Sequence, residues 1–141
     1  MEAELREIRD HLSQHPPFDK LLDELLDDVV GNIEITYFKA DSIILERGQP
    51  IHALSYIRSG AVETYHYNGE LYNRLEEGDI FGQFGLLRQG KVRFPVKAIE
   101  DTLLYLIPKT IFDRLCDNDS FADFVELSGS RLKSTIDESL R

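Results

Sequence analysis

The apolar residues of this chain change their spacing twice. Leu5, Ile8 and Leu12 recur every three or four positions, which places them on one face of a helix. Pro16-Pro17 closes that stretch, since proline lacks a backbone donor and restricts the residue before it. A second helical pattern runs through Leu21, Leu22, Leu25, Leu26 and Val29, with acids on the other face and Gly31 as its stop. From residue 33 the period falls to two: Ile33, Ile35 and Tyr37 alternate with Glu34 and Thr36, as in a strand with one buried face. Short β runs follow at 42–46, 54–58, 61–67, 71–75, 94–99 and 103–107. Arg47-Gly48-Gln49-Pro50, Ser59-Gly60, Asn68-Gly69 and Glu77-Gly78-Asp79 supply the turns between them. Asn68-Gly69 predicts a tight two-residue hairpin, with positive φ at both positions.

After Pro108 the helical spacing returns in Ile111, Phe112 and Leu115. Asn118-Asp119-Ser120, with Asp123 three residues beyond Ser120, offers N-cap chemistry for a last helix. Its apolar stripe would be Phe121, Phe124, Val125, Leu132, Ile136 and Leu140, and its length predicts a weak homodimer through that helix. Many short strands without alternating βαβ units indicate an antiparallel barrel, sandwich or jelly roll. The prediction is a mainly β chain of the α+β kind: helical residues 1–32, a β-roll over 33–108 and helices over 109–141.

Composition narrows the function. At 141 residues and 42% hydrophobic, the chain is the size of one domain with one core. No apolar run approaches the roughly 18 residues of a membrane span, so no membrane partner is expected. The charged, acidic start MEAELREIRD differs from a targeting segment, and the single Cys116 cannot form an internal disulfide; both point to the cytoplasm. Cys116 itself reads as a half-buried helix thiol. The formal charge of −10 would repel a polyanion, so no nucleic-acid partner is expected. The acid is concentrated in residues 1–30, whereas Arg88, Lys91, Arg93 and Lys97 share a stretch without any acid. A cationic island on an acidic protein suggests a small anionic ligand.

No enzyme signature emerges. A β-roll metal site would gather histidines on inward strand positions, but His11 and His15 fall in the N-terminal helical region and no His-x-His occurs. His52 and His66, like the other two, read as surface or turn residues. Neither a Gly-x-Ser-x-Gly turn nor a Gly-x-x-x-x-Gly-Lys loop is present. No catalytic residue, metal ligand or cofactor is therefore assigned.

The order helices, roll, helices carries several glycine motifs: Gly48, Ile57-Arg58-Ser59-Gly60-Ala61-Val62, Glu77-Gly78-Asp79-Ile80-Phe81-Gly82 and Phe81-Gly82-Gln83-Phe84-Gly85-Leu86-Leu87, then Arg93. Together they resemble the cyclic nucleotide monophosphate-binding family, over roughly residues 18–135. Members place Phe-Gly-Glu, a small residue and two apolar residues at this segment, then Arg-(Ser/Thr)-Ala. The stretches His15-Pro16-Pro17-Phe18-Asp19, Arg93-Phe94-Pro95-Val96 and residues 100–108 further resemble the N-terminal domain of bacterial CBS-domain nucleotidyltransferases. On that resemblance the chain is the sensory part of a larger multidomain protein. A helix-turn-helix module, which many relatives attach, would need more residues than follow the last helix.

The resemblance implies a phosphate-binding segment within 81–95, with a short helix over 84–87 inside the roll. Gly82 and Gly85 would let backbone approach a ligand, and the helix start near Phe84 would point N–H groups at a phosphate. Arg93 would neutralise that phosphate, and Gln83 would stand where an acid accepts the ribose 2′-hydroxyl. Two departures weaken this site. Gln83 accepts without charge assistance, and Phe94-Pro95 replaces the Ser/Thr-Ala pair, removing a hydroxyl and a backbone donor. The ligand-contact candidates are thus Gly82, Gln83, Phe84, Gly85, Arg93 and Phe94. The expected function is a regulatory sensor for an anionic ligand such as cAMP or cGMP, with weakened nucleotide binding. The alternative is a roll that binds no nucleotide and serves as a docking or dimerisation module.

Overall fold

A computed structural model describes residues 3–88 and 90–126. Helix α1 (Ala3–Leu12) is followed by a 3-10 turn at Phe18–Lys20 and helix α2 (Asp23–Gly31). The strands are β1 (Glu34–Phe38), β2 (Ile43–Leu45), β3 (Ala53–Ser59), β4 (Ala61–Tyr65), β5 (Leu71–Glu76) and β6 (Ile80–Phe81). Helix α3 (Gln83–Leu87), strands β7 (Val96–Ala98) and β8 (Thr102–Pro108), and helix α4 (Lys109–Leu115) complete the named elements. A further helical run covers residues 119–126, and the side chain of Asn118 caps it by accepting from the Phe121 N–H at 3.0 Å. Leu132, Ile136 and Leu140, on which the homodimer expectation rests, lie outside the described residues.

Every strand pairing is antiparallel, in two four-stranded sheets ordered β1-β8-β3-β6 and β2-β7-β4-β5. Mainly β with flanking helices, a β-roll, is thus the architecture. Alternation along β3 and β8 sorts their side chains into two cores. Leu54, Tyr56, Tyr105 and Ile107 join Leu12, Phe18, Val29, Phe112, Leu115 and Phe121 beneath the helices. Ile57 and Leu104 point the other way and pack with Val62, Phe81 and Val96 between the sheets. Each such side chain stabilises the fold by about 1.5–3 kcal/mol through burial. The helical periodicity at both ends of the chain therefore covers the outer face of the first sheet.

Several local expectations give way to tertiary context. In β1 the alternation is inverted: Ile35 and Tyr37 are 48% and 54% exposed, while Phe38 packs on the inter-sheet core. The register explains it, because Thr36 and Phe38 pair with the inward residues Leu104 and Thr102 at an edge that the helices do not cover. At the β4–β5 turn only Gly69 has positive φ (88°). Gly69 N–H donates to the His66 carbonyl and His66 N–H to that of Glu70, so the loop has three residues, a type I turn closed by a left-handed glycine. Asn68 instead accepts from the Glu70 N–H through its side chain. Leu22 precedes α2 and is exposed, not part of its buried stripe. His11 and His15 are not surface residues: they stack at 4.7 Å over the buried Tyr56. Cys116 ends α4 half-buried, and burial pushes its thiol pKa up.

Candidate functional site

The inner face of the second sheet is not filled by side chains alone. A cavity of about 360 Å³ opens there, walled by Leu45 of β2, Thr64 of β4, Tyr72, Asn73 and Leu75 of β5, and Val96 of β7. Its far wall is continuous chain, from Gly78 through Gly85, faced by Val92, Arg93 and Phe94. Pro16 and Phe124, from the two terminal helical regions, complete it. All six sequence-assigned contact candidates, Gly82, Gln83, Phe84, Gly85, Arg93 and Phe94, come together on this one cavity.

Two glycines shape the wall. Gly82 takes φ 95° as the N-cap of α3, a left-handed conformation that turns the chain out of β6 into the helix. Gly85 is needed for space instead, since a Cβ there would stand 2.5 Å from the Lys91 carbonyl oxygen. That close approach is locked by the Gly90 N–H donating to Gly85 O at 2.7 Å. As in any helix, the first N–H groups of α3 have no acceptor within the helix and face its N-terminal side.

The polar inventory is sparse. Gln83 is only 5% exposed, and its Oε1 has no hydrogen-bond partner among the described residues. An orphaned buried acceptor costs about 1–3 kcal/mol until something donates to it. Arg93 is exposed, with its guanidinium 5.4 Å from the Phe94 ring centroid and no ion pair among the described residues. Phe94 lies stacked on Tyr72 at 4.5 Å and edge-on to Phe84 at 6.2 Å, forming an aromatic wall. Burial pushes the Tyr72 hydroxyl above its ordinary value, against the opposing field of Arg93, so it remains a donor. Pro95 contributes its carbonyl, which accepts from the Tyr65 N–H at 3.0 Å.

The cationic stretch is divided. Arg93 reaches the cavity, whereas Arg88, Lys91 and Lys97 do not line it. Strand alternation accounts for Lys97, since Val96 and Ala98 hold the buried positions of β7. Sequence reasoning missed Thr64, Tyr72, Asn73, Pro16 and Phe124: the first three reach the wall through the β7-β4-β5 pairing, and the last two come from the terminal helical regions. One cation, the Asp79 carboxylate, one orphan acceptor and an aromatic wall suit a ring-bearing molecule that carries one anionic group and a donor.

The cyclic nucleotide-binding domain pattern matches residues 35–119, which include both sheets except Glu34, and the whole Gly78–Phe94 wall. The chain belongs to the cyclic nucleotide-binding domain family. No curated protein matches it significantly by sequence. Among solved structures, the sensor domain of the transcriptional regulator DNR from Pseudomonas aeruginosa superposes with a TM-score of 0.81 at 21% identity, covering 97% of this chain and 96% of that one. The regulatory domain of Toxoplasma gondii PKA, crystallised with cAMP, gives 0.71 at 20% identity over 81% of this chain and 45% of that one. The regulatory subunit of a cAMP-independent protein kinase A from Trypanosoma brucei gives 0.81 at 14% identity over 99% and 54%. This cyclic nucleotide-binding domain thus spans about half the length of those two regulatory chains. At these identities the likeness is one of fold.

Proposed function

We propose that this domain is a regulatory sensor whose cavity takes a cyclic nucleotide or a closely similar monoanion, held less tightly than by members with the full family motif. Family membership supports the ligand class. The observation that carries the reading is the pairing of Gln83 and Arg93 on one cavity, where among the described residues the Gln83 oxygen has no donor and the Arg93 charge no carboxylate. Asp79 also lines the cavity, so a single arginine offsets one ligand charge better than the two or more of AMP or ATP. Gln83 in place of glutamate and Phe94-Pro95 in place of Ser/Thr-Ala together remove about 2–4 kcal/mol, roughly 30- to 1000-fold in affinity. The fold by itself does not fix the response: the Trypanosoma brucei chain of the same architecture is the regulatory subunit of a cAMP-independent protein kinase A.

In this reading the domain has no catalytic residue and no metal or cofactor, and works in the cytoplasm. It is the N-terminal sensory part of a larger chain of the CBS-domain nucleotidyltransferase kind, in which binding is relayed to whatever the domain is joined to. Its parts are residues 1–32, 33–108 and 109–141; α1, α2 and α4 act as helical covers and the roll as the ligand-binding unit.

Calorimetry with cAMP, cGMP, AMP and ATP tests the site. Cyclic nucleotides should bind in about the micromolar range or weaker and in preference to AMP and ATP. Arg93→Ala should remove measurable binding, and Gln83→Glu should strengthen it by several-fold. Submicromolar cAMP binding by the unaltered domain overturns the weakening, and unchanged binding by Arg93→Ala overturns the site.

A further inference from the structure

Beside the Ser/Thr-Ala of the family motif, Phe94-Pro95 lacks a hydroxyl and a backbone donor, but it brings a ring. Phe94 lies parallel to Tyr72 of β5, with ring centres 4.5 Å and planes 13° apart. Phe84 of α3 stands edge-on to Phe94 at 6.2 Å and 81°. His66, just beyond β4, stands edge-on to Tyr72 at 4.6 Å. These are the stacked and edge-to-face arrangements that ring quadrupoles favour. Tyr72, Phe84 and Phe94 all line the cavity, and none of them belongs to either packed core.

The chain holds this assembly in place. Pro95 restricts the backbone of Phe94, and the Pro95 carbonyl accepts from the Tyr65 N–H at 3.0 Å. Tyr65 and Tyr72 lie on the paired strands β4 and β5, so one hairpin anchors both members of the stack. The three cavity rings are half-buried, which leaves aromatic surface in contact with water when the cavity is empty. Covering it with any apolar group is favourable, and a second ring gains further by setting itself offset or edge-on. Arg93 holds its guanidinium 5.4 Å from the Phe94 ring centroid, so an anion and a ring on one ligand are met side by side.

We infer that Phe94, backed by Tyr72 and Phe84, is a specificity-determining residue that stacks an aromatic ring of the ligand, so that the cavity selects flat aromatic monoanions over aliphatic ones. This rests on the reading of the cavity as the ligand site, with cyclic nucleotides as one instance of the class. Stacking on an aromatic side chain tolerates many ring types, because every nucleobase presents a π-face. The exchange that loosens the hold on the anion thus tightens the hold on the ring.

Calorimetry on the full chain tests it with naphthalene carboxylate and its fully saturated analogue, which carry the same charge on the same carbon skeleton, and with cAMP. The saturated acid is at least as apolar, so a preference for the aromatic one reports ring recognition and not burial alone. The aromatic acid should bind about fivefold or more tightly. Phe94→Leu, which keeps apolar bulk without a ring, should bring the two acids within about twofold and weaken cAMP about fivefold. Phe94→Tyr should keep both preferences. Equal binding of the two acids, binding of neither, or an undiminished preference in Phe94→Leu overturns the platform. Equal cAMP affinity in the natural chain and Phe94→Leu also overturns it, while leaving the cavity as the nucleotide site. A Phe94-dependent ring preference without any cAMP binding supports the platform and overturns the cyclic nucleotide as its ligand.

Discussion

The two sheets have the same number of strands and the same antiparallel pairing, yet they are buried differently. In the first, β3 and β8 are covered on both faces, by helices outside and by the second sheet inside. In the second, only the inner face is covered, and large apolar residues such as Ile43 and Leu71 stand 60% and 56% exposed. The cavity belongs to that less covered sheet, where Thr64, Tyr72 and Asn73 occupy positions that a packed core would fill with aliphatic side chains. Stability is therefore concentrated in one sheet and the capacity to bind in the other.

Substitutions on the two sheets can break that comparison. Leu54→Ala, at a fully buried position under the helices, should cost about 2–5 kcal/mol in denaturant unfolding. A cost below about 1 kcal/mol would mean the doubly covered sheet is not the stabilising one. Gln83→Met should go the other way, raising the stability of the unliganded domain by about 1 kcal/mol while weakening ligand binding, because it removes the orphan acceptor. Stability and binding falling together would show that Gln83 supports the fold.

A smaller effect is expected where the sheets meet, at the β5–β6 turn. The bond from His11, the largest influence, and the field of Arg58 hold the Glu77 carboxyl below its ordinary range. A carboxylate with a lowered folded pKa stabilises at neutral pH and loses that contribution as pH falls through its folded value. The gap between the natural chain and Glu77→Gln should be about 0.2–1 kcal/mol at neutral pH and close only in acid below the ordinary carboxylate range. A gap that persists there would assign the effect to packing. Smallest of all, Leu71→Thr on the exposed face of the second sheet should stay within about 0.5 kcal/mol of the natural chain in thermal unfolding.

Much of this division was legible from local patterns. The helical periodicity of Leu5, Ile8 and Leu12, the strand runs around Tyr56 and Leu104, and the glycines flanking Gln83 each act within a few residues, so sequence spacing reveals them. β6 is two residues long and too short for any period to register. The inward face of β1 depends on its register with β8, and Tyr72 reaches Phe94 only through the second sheet's pairing. The histidine pair was misread because its partners Tyr56 and Glu77 lie more than forty residues away along the chain. Alternation and capping encode elements; which side chains meet across them is set by topology.

The cavity on the inner face of the second sheet also bears on how such a chain can diverge. Tyr72, Asn73 and Phe94 are not members of either packed core, so exchanging them alters what the cavity meets while leaving the supports of the fold in place. A lineage can thus pass from one ligand to another, or to none, through intermediates that all remain folded. Gly82 and Gly85 have no such freedom, because left-handed backbone and a neighbouring carbonyl forbid a side chain at either position. Across descendants of this chain the frame of the pocket should outlast its occupant.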